Sequence, residues 1–374
     1  MKRIFLFLCF TFLIQSAFSQ KYAIRAIPEG YDTWGYINLS GEIIIKPQFK
    51  TCYDFSENGI AAVSVSKTAF FPGVGFGGIP TPTYYNRKTT YQLINLKGEP
   101  LKLEIDEKFA LKNIFGFAAK GYNNGLIAVK VNHKWGFLDF KGKLVIPIKY
   151  DMVSQFNGAY AFTRLKKQYY ILKADGKEIP LKDNHIKIVS TFSANLLPFK
   201  KDGKIGYLDT TGKIVIEAQF QRVGHFNAGL AWASREDGKI GFINTKGGWV
   251  IEPQFEVVKN FDKISGLARV RVDDQWGYVG KNGKIKYFTL VEIQKDFSEG
   301  LAIGIEVGVE NKKIGYFNNQ GAWVIKPQFD AARNFKNGYA AVRINDKWGL
   351  IDTKGNWVLK PSFKKLRDVA VIKN

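Results

Sequence analysis

The sequence is poor in the residues that build disulfide frameworks and most metal sites. Its 374 residues include only 2 cysteines and 3 histidines. Cys9 lies inside an apolar N-terminal run, so Cys52 is the single cysteine of the remaining chain, and an intramolecular disulfide is excluded there. His133, His185 and His225 have no second candidate ligand at the spacing of a metal motif. We therefore expect no metal site and no cofactor.

Recognisable catalytic motifs are also lacking. The chain contains neither a G-x-S-x-G elbow nor an H-E-x-x-H motif. A glycine-rich stretch within Thr68–Thr89 has no helical pattern after it and no Lys-Ser or Lys-Thr pair, so it is not a phosphate-binding loop. The paired carboxylates Asp273–Asp274 and Glu236–Asp237 fall in polar turns, where solvated charge is the expected state. We expect a protein that is not an enzyme.

Long hydrophobic runs are absent, apart from a short one at the N-terminus. Lys2 and Arg3 precede the apolar run Ile4–Ile14, and Ala17-Phe18-Ser19 places small residues where a signal peptidase cleaves. This pattern predicts a signal peptide over residues 1–19, with a retained N-terminal anchor as the alternative. The mature chain has no transmembrane segment by this criterion. We expect an exported protein that is periplasmic, at the cell surface or extracellular.

Acidic residues are fewer than basic residues in this sequence. The formal net charge of +22 arises from 55 Lys and Arg against 33 Asp and Glu, which favours anionic surroundings. Nucleic acid is disfavoured as a partner because the lysines are scattered through turns and the chain carries an export signal. With 45% hydrophobic and 15% aromatic residues, the chain has the composition of a folded protein.

The sequence is organised as a series of repeats. Alignment on the glycine that closes a short turn gives nine units, numbered here 1 to 9, whose turn glycines are Gly41, Gly98, Gly142, Gly176, Gly212, Gly247, Gly283, Gly321 and Gly355. Six residues earlier stands the glycine of a "WG" pair, except at Gln92 and Tyr170. The residue before it is Trp34, Tyr91, Trp135, Tyr169, Ile205, Ile240, Trp276, Ile314 or Trp348. Exchange of Trp with Ile indicates core packing, since a stacking site would not accept Ile.

The rest of each unit predicts short strands. Asp or Asn at the first turn position, as at Asp352, with glycine at the fourth predicts a type I turn and a bulged hairpin. An apolar run such as Ile214–Ile216 follows and indicates a strand covered on both faces. A proline such as Pro253 then ends the strand or exposes it as an edge. A connector and a further strand complete a three-stranded antiparallel meander. Gln168–Pro180 and Gln275–Phe288 are degenerate copies.

These units resemble the WG-repeat family of bacterial proteins. The family pattern K-W-G-[YFL]-[IL]-[DN]-x-x-G-K-x-[VI]-[IV]-x-P-x-[FY]-D is matched at most positions by Lys134–Tyr150, Lys313–Asp330 and Lys347–Phe363. The resemblance implies a repeat array without established catalytic residues. The units are more loosely similar to the aromatic-glycine hairpins of cell-wall-binding modules, which hold choline between aromatic rings. No binding residue transfers from those modules, because the Trp/Ile exchange breaks the aromatic cage.

The predicted fold is all-β, a tandem array of about nine three-stranded meander repeats over residues 20–374 with an insertion at 68–89. Nine units exceed the usual range of about four to eight propeller blades, which favours an open β-solenoid-like array with capping ends. A closed β-propeller is the alternative. A division into two domains near unit 4 is also left open.

Repeat arrays commonly bind partners along an extended surface. We therefore predict a non-enzymatic scaffold that binds a protein or an anionic or cell-wall polymer, with a carbohydrate-binding module as the alternative. We expect a partner to contact the protein where the repeat units differ from one another or where an aromatic side chain is predicted to be exposed. The candidates are Phe76, Tyr84, Tyr85, Trp232, Trp249, Trp323 and Trp357. The last three replace Ile in an apolar run, where packing is the competing interpretation.

Overall fold

The computed structural model describes residues 21–67, 71–74, 80–83, 88–105, 124–183, 185–308, 310 and 312–373. The predictions on the signal peptide, Phe76, Tyr84 and Tyr85 fall outside these residues. The strands are β1 (Lys21–Pro28), β2 (Trp34–Ile37), β3 (Ile43–Phe49), β4 (Thr51–Cys52), β5 (Ala61–Lys67), β6 (Phe71–Val74), β7 (Pro80–Thr83), β8 (Lys88–Ile94), β9 (Leu126–Val131), β10 (Lys134–Asp139), β11 (Leu144–Tyr150), β12 (Met152–Val153), β13 (Tyr160–Leu165), β14 (Gln168–Lys173), β15 (Glu178–Pro180), β16 (Lys187–Ile188), β17 (Leu197–Lys201), β18 (Lys204–Leu208), β19 (Ile214–Phe220), β20 (Arg222–Val223), β21 (Ala231–Ser234), β22 (Ile240–Ile243), β23 (Trp249–Phe255), β24 (Val257–Val258), β25 (Leu267–Val272), β26 (Gln275–Gly280), β27 (Ile285–Lys286), β28 (Val291–Gln294), β29 (Ala302–Glu306), β30 (Ile314–Phe317), β31 (Trp323–Phe329), β32 (Ala331–Ala332), β33 (Tyr339–Ile344), β34 (Lys347–Asp352) and β35 (Trp357–Ile372).

Small antiparallel sheets confirm the all-β prediction and the repeated meander. Unit 6 is typical, with the strand order β20-β21-β22-β23. The connector contributes the first, two-residue strand, so most units have four strands where three were predicted. None of the described residues is helical, and none forms a helix able to cross a membrane.

Turn chemistry follows the prediction. In unit 9 the Oδ1 atom of Asp352 accepts hydrogen bonds from the amides of Lys354 and Asn356, each at 2.9 Å. The turn glycine Gly355 has a φ of 88°, which a residue with a Cβ atom rarely adopts. The repeated Asp and Asn therefore act as turn caps.

Close backbone packing explains the glycine of the WG pair. Ile240 pairs with Phe255 and Phe242 pairs with Ile251, so β23 bulges between these two pairs, around Pro253. A Cβ atom on Gly241 would lie 2.4 Å from the Ile251 carbonyl oxygen. The terminal strand of the sheet continues past Pro253 to Phe255 and accommodates the proline in a bulge, so the predicted edge position is confirmed and the alternative that the proline ends the strand is wrong.

The edge strands are covered on one face only, so the prediction of two covered faces is wrong. In β23 the side chain of Ile251 is buried, whereas the neighbouring Val250 is 43% exposed. Val145, Val215 and Val324 lie in the same setting and are exposed as well. Successive side chains of a strand point to opposite faces, and an edge strand packs only one of them against the core.

The core lies between consecutive sheets. One hydrophobic cluster joins Tyr316 and Phe329 of unit 8 to Phe335 and Val342 of the following sheet. The connectors also interlock, because the carboxylate of Asp262 accepts hydrogen bonds from the amides of Glu299 at 3.0 Å and of Gly300 at 3.1 Å. Each unit therefore depends on its neighbours for burial, as expected of a repeat array.

The two ends of the described chain meet. The 16-residue strand β35 pairs with β34 through its first half and with β1 through its second half, so units 9 and 1 share one seven-stranded sheet. The tandem array is confirmed, and this terminal ladder is the contact that the closed alternative requires.

Within the predicted insertion, β6 and β7 pair as an antiparallel hairpin, whereas the composition had suggested a loop.

Candidate binding cleft

A positively charged side chain lies over each tryptophan of the WG pairs. Trp135 is buried and confirms the packing interpretation, whereas Trp276 is 36% exposed. The distances from the cationic atom to the ring centroid are 5.3 Å for Arg367 over Trp34, 5.4 Å for Lys130 over Trp135, 4.3 Å for Arg269 over Trp276 and 5.7 Å for Arg333 over Trp348. Such contacts hold the guanidinium or ammonium group in place.

The three tryptophans of the apolar runs lie on separate sheets and pack against other aromatic rings. Ring centroids are 5.5 Å apart for Trp249 and Phe220, 5.8 Å for Trp323 and Phe317, and 6.1 Å for Trp357 and Phe329. Trp249 and Trp323 are half-buried, and Trp357 is 37% exposed. The structure does not bring these side chains together into one site.

Trp232 lies in a different setting. Its indole occupies the space beside Gly224, where a Cβ atom would lie 2.1 Å from the indole Nε1 atom. It is half-buried and lines a cleft of about 560 Å³ together with connector residues of units 6 to 9, among them Asn227, Asp262 and Asn334. The connectors of four consecutive units thus reach one cleft.

A second cleft, of about 540 Å³, lies between the sheets of units 7 and 8 and is called the Trp276 cleft here. Its lining residues are Arg269, Asp274, Gln275, Trp276, Tyr287, Phe288, Thr289, Val291, Glu292, Gln294 and Lys295. In six units the edge strand brings an aromatic opposite the residue that precedes the WG glycine, as Phe255 pairs with Ile240. In unit 7 the edge strand β27 has only two residues and pairs with Tyr278 and Val279.

Loss of that aromatic opens the Trp276 cleft. The residue eight positions after Gly283 is Val291, which pairs with Glu306 in the next sheet and lines the cleft without an aromatic ring. Tyr287 is displaced to the surface and is 43% exposed, with its ring beside Gly277. Two aromatic side chains therefore border one concave surface.

Polar contacts fix the wall of the cleft. The Nη1 atom of Arg269 donates to the carbonyl oxygen of Gln294 at 2.6 Å, and its Nε atom lies 2.7 Å from Oδ1 of Asp296 in an ion pair. The amide nitrogen of Gln294 donates to the carbonyl oxygens of Phe288 and Val291. The Oε1 atom of Gln294 is buried and accepts no hydrogen bond from the protein. The side chains of Arg269 and Gln294 are therefore fixed in the wall of the cleft.

Sequence reasoning identified unit 7 as a degenerate copy but did not name Trp276, Tyr287 or Arg269 as site residues. The available signal was Val291, where most other units have Phe or Tyr. Among the described residues, no three His, Cys, Asp or Glu side chains are grouped as metal ligands. Cys52 is buried, and burial raises the pKa of its thiol to about 12.

The repeated sheets and capped turns define a protein built from tandem β-repeats. The family model described as "WG containing repeat" matches residues 34–67, 135–169, 205–239, 240–276, 314–348 and 348–370. These matches cover more than half of the chain, so the protein belongs to the WG-repeat family. No curated protein sequence matches the chain.

Comparison with solved structures finds matches of low sequence identity, one of which has a TM-score above 0.5. The crystal structure of a eukaryotic initiation factor is 10% identical, with a TM-score of 0.55 over 94% of this chain and 98% of that one. Apo AztD from Citrobacter koseri is 11% identical with a TM-score of 0.40, covering 94% and 98% of the two chains. BamB from Moraxella catarrhalis is 11% identical with a TM-score of 0.36, covering 82% and 94%. The first likeness concerns the fold alone.

Proposed function

We propose that the protein is a non-enzymatic binding scaffold, exported from the cytoplasm, whose partner is a protein or a polymer of the cell envelope. The observation that carries this proposal is the Trp276 cleft, where a degenerate unit exposes Trp276 and Tyr287 on one concave surface. A concave surface lined by aromatic rings and a few fixed polar groups is the usual form of a binding site.

The contacts of the cleft support binding rather than catalysis. Trp276 and Tyr287 offer large, stiff surfaces whose burial by a partner would stabilise a complex, as interface tryptophans and tyrosines commonly do. Arg269 and Gln294 are held by the protein and would lose little conformational entropy on binding. The recurring carboxylates that could have served as catalytic groups cap turns instead, as Asp352 does.

A carbohydrate is the second candidate ligand, favoured by the same two side chains. Sugar rings pack their apolar faces on aromatic rings, and their hydroxyl groups need acceptors and donors close by. Glu292 and Lys295 line the cleft and supply an acceptor and a donor. Arg269 stacks on Trp276, so a sugar would pack on Tyr287 or on the ring surface of Trp276 that Arg269 leaves open.

The test compares the full chain with the variant Trp276→Ala. Each protein is crosslinked to isolated cell envelopes and is also applied to an array of purified glycans, at low and at high salt. We expect Trp276→Ala to lose at least about tenfold in binding, because removing an aromatic anchor commonly costs more than ~1.4 kcal/mol. Binding to the glycan array identifies a carbohydrate ligand, and one reproducible crosslinked protein identifies a protein partner.

Trp357→Ala is the matched control, since Trp357 is equally exposed but packs against Phe329 outside the cleft. It should retain wild-type binding. Equal losses in both variants, or retention that disappears at moderate salt in all three proteins, would show that the cleft is not the binding site. Hydrolysis of envelope polymers by the purified chain would refute the non-enzymatic function.

A further inference from the structure

The sheet of unit 7 has an incomplete edge. In six units the edge strand continues past its bulge to an aromatic residue, which pairs with the residue before the WG glycine. In unit 7 the pairing of β27 with β26 is limited to Tyr278 and Val279. Among the described residues, Trp276 therefore has no partner strand on that side.

The backbone groups of Trp276 point toward this gap. The amide of Gly280 donates to the Lys284 carbonyl oxygen at 3.0 Å, so the backbone groups of Gly280 face the β27 side of the sheet. Backbone groups alternate in direction along a strand, so those of Tyr278 and Trp276 face the same side. Tyr278 is paired with Lys286, whereas no backbone hydrogen bond within the described residues engages Trp276 on that side. One donor and one acceptor of the sheet are left open.

The Trp276 cleft opens on the face of the sheet to which the indole points. Directly opposite residues of an antiparallel pair point to the same face, so a side chain placed opposite Trp276 would enter the cleft that the indole lines. Phe288 also lines the cleft, but its ring packs on Tyr278 and Phe317, with centroids 5.3 and 5.5 Å away. The position opposite Trp276 is therefore open to a side chain of a partner.

The charges of the cleft favour a segment that carries a carboxylate. Two cationic side chains line it, and one of them, Arg269, is paired with Asp296. The other, Lys295, forms no ion pair within the described residues. The lining carboxylate Glu292 is paired with Lys312 at 2.9 Å. A carboxylate of a partner would therefore meet an unpaired ammonium group.

We propose that the Trp276 cleft binds an extended peptide segment of a partner protein, which pairs with β26 beyond the end of β27 and places an aromatic residue opposite Trp276. This inference rests on the proposed scaffold function and specifies the partner as a protein. An added strand gains affinity from backbone hydrogen bonds and specificity from pockets for its side chains. It would continue the ladder that β27 forms with Tyr278 and Val279. The edge strands of the chain itself indicate which segment fits, since β3, β23 and β31 all end in Pro-Gln-Phe.

The probe is a labelled synthetic peptide with the sequence of Trp249–Phe255, WVIEPQF, and fluorescence anisotropy measures its binding to the full chain. We expect saturable binding. Replacing the phenylalanine of the peptide by alanine should weaken binding at least about tenfold, because an aromatic anchor is lost. Methylating the backbone nitrogen of this phenylalanine should weaken binding at least about threefold, because its hydrogen bond to the Trp276 carbonyl oxygen is lost. Methylation of the preceding glutamine nitrogen is the matched control and should leave the affinity unchanged, since that group points to the other side of the added strand.

Hydrogen exchange locates the bound peptide. Exchange of the Trp276 amide should slow in the complex, because this amide then donates to the peptide backbone. Trp276→Ala should weaken peptide binding at least about tenfold, whereas Trp357→Ala should not change it, since Trp357 is equally exposed but lies outside the cleft. The peptide variants leave the protein unchanged, so they decide the outcome if Trp276→Ala does not fold.

The proposal is overturned if WVIEPQF does not bind, if the alanine peptide binds as tightly, or if both methylated peptides lose the same affinity. Slower exchange at another strand edge, with the Trp276 amide unchanged, would also contradict it. Retention on cell envelopes that Trp276→Ala abolishes, although no peptide binds, would support the scaffold function and refute this inference alone. The two failures are therefore distinguishable.

Discussion

The hydroxyl group of Tyr316 donates a hydrogen bond to the carbonyl oxygen of Arg333, with 2.7 Å between the two oxygens. The same bond, 17 residues along the chain, joins Tyr36 to Tyr53, Tyr207 to Gly224 and Tyr278 to Lys295. Each links the WG strand of one unit to the connector of the next. Burial of the tyrosine raises the pKa of its hydroxyl, so the donor stays protonated at neutral pH.

Removing this donor should destabilise the junction between units 8 and 9. We expect Tyr316→Phe to lower the free energy of unfolding by about 1–3 kcal/mol, because the Arg333 carbonyl loses its partner. Chemical denaturation followed by circular dichroism measures the change. A loss below about 0.5 kcal/mol would mean that water replaces the hydroxyl at no cost.

Substitution of a WG glycine by alanine should lower the stability of the protein strongly only in units whose edge strand has a bulge opposite that glycine. In Gly241→Ala the new Cβ meets the Ile251 carbonyl at 2.4 Å, and we expect a loss of about 1–3 kcal/mol or more. Gly277→Ala is the matched variant, since its nearest neighbours at 2.9 and 3.0 Å are side-chain atoms of Tyr287 and Ile285. Its loss in thermal unfolding should be smaller. Equal losses would contradict the role assigned to the bulge.

The ladder between β1 and β35 should contribute to global stability. Leu366 is 1% exposed, so Leu366→Ala should cost about 2–5 kcal/mol. The neighbouring Lys365 is exposed, and Lys365→Ala should change stability by less than about 0.5 kcal/mol. Calorimetric unfolding of both variants tests this. An unchanged Tm for Leu366→Ala would show that the ends meet without stabilising the array.

His225 should make stability depend on pH. Burial lowers the pKa of its imidazole, whose Nε2 atom lies 3.0 Å from the Ser190 hydroxyl oxygen. The unfolded chain then binds a proton more readily, so stability is full above the unfolded pKa of about 6.5 and falls as pH drops below it. The difference in unfolding free energy between pH 7 and pH 5 should shrink in His225→Gln. An unchanged difference would assign the pH dependence to other groups.

Local features of the repeat could be predicted from the sequence, because the repeat units can be compared with one another position by position. The turn caps, the edge position of the proline strand and the packing of Trp135 each follow from residue type and spacing, and each is observed. The prediction that both faces of the apolar runs are covered was wrong at Val250, because three successive apolar residues do not show whether another element packs against the second face. Trp276 was not selected because its exposure depends on a missing aromatic in another strand.

The sequence by itself determined the repeat, its turns and its β character, because these depend on contacts between residues that are close in the sequence. Only the tertiary structure decided which tryptophan is exposed and that β1 pairs with β35. It also decided that Arg25 lies opposite a bulge formed by Arg367 and Asp368. Such contacts join residues that are close only after the sheets have packed, and no local pattern encodes them.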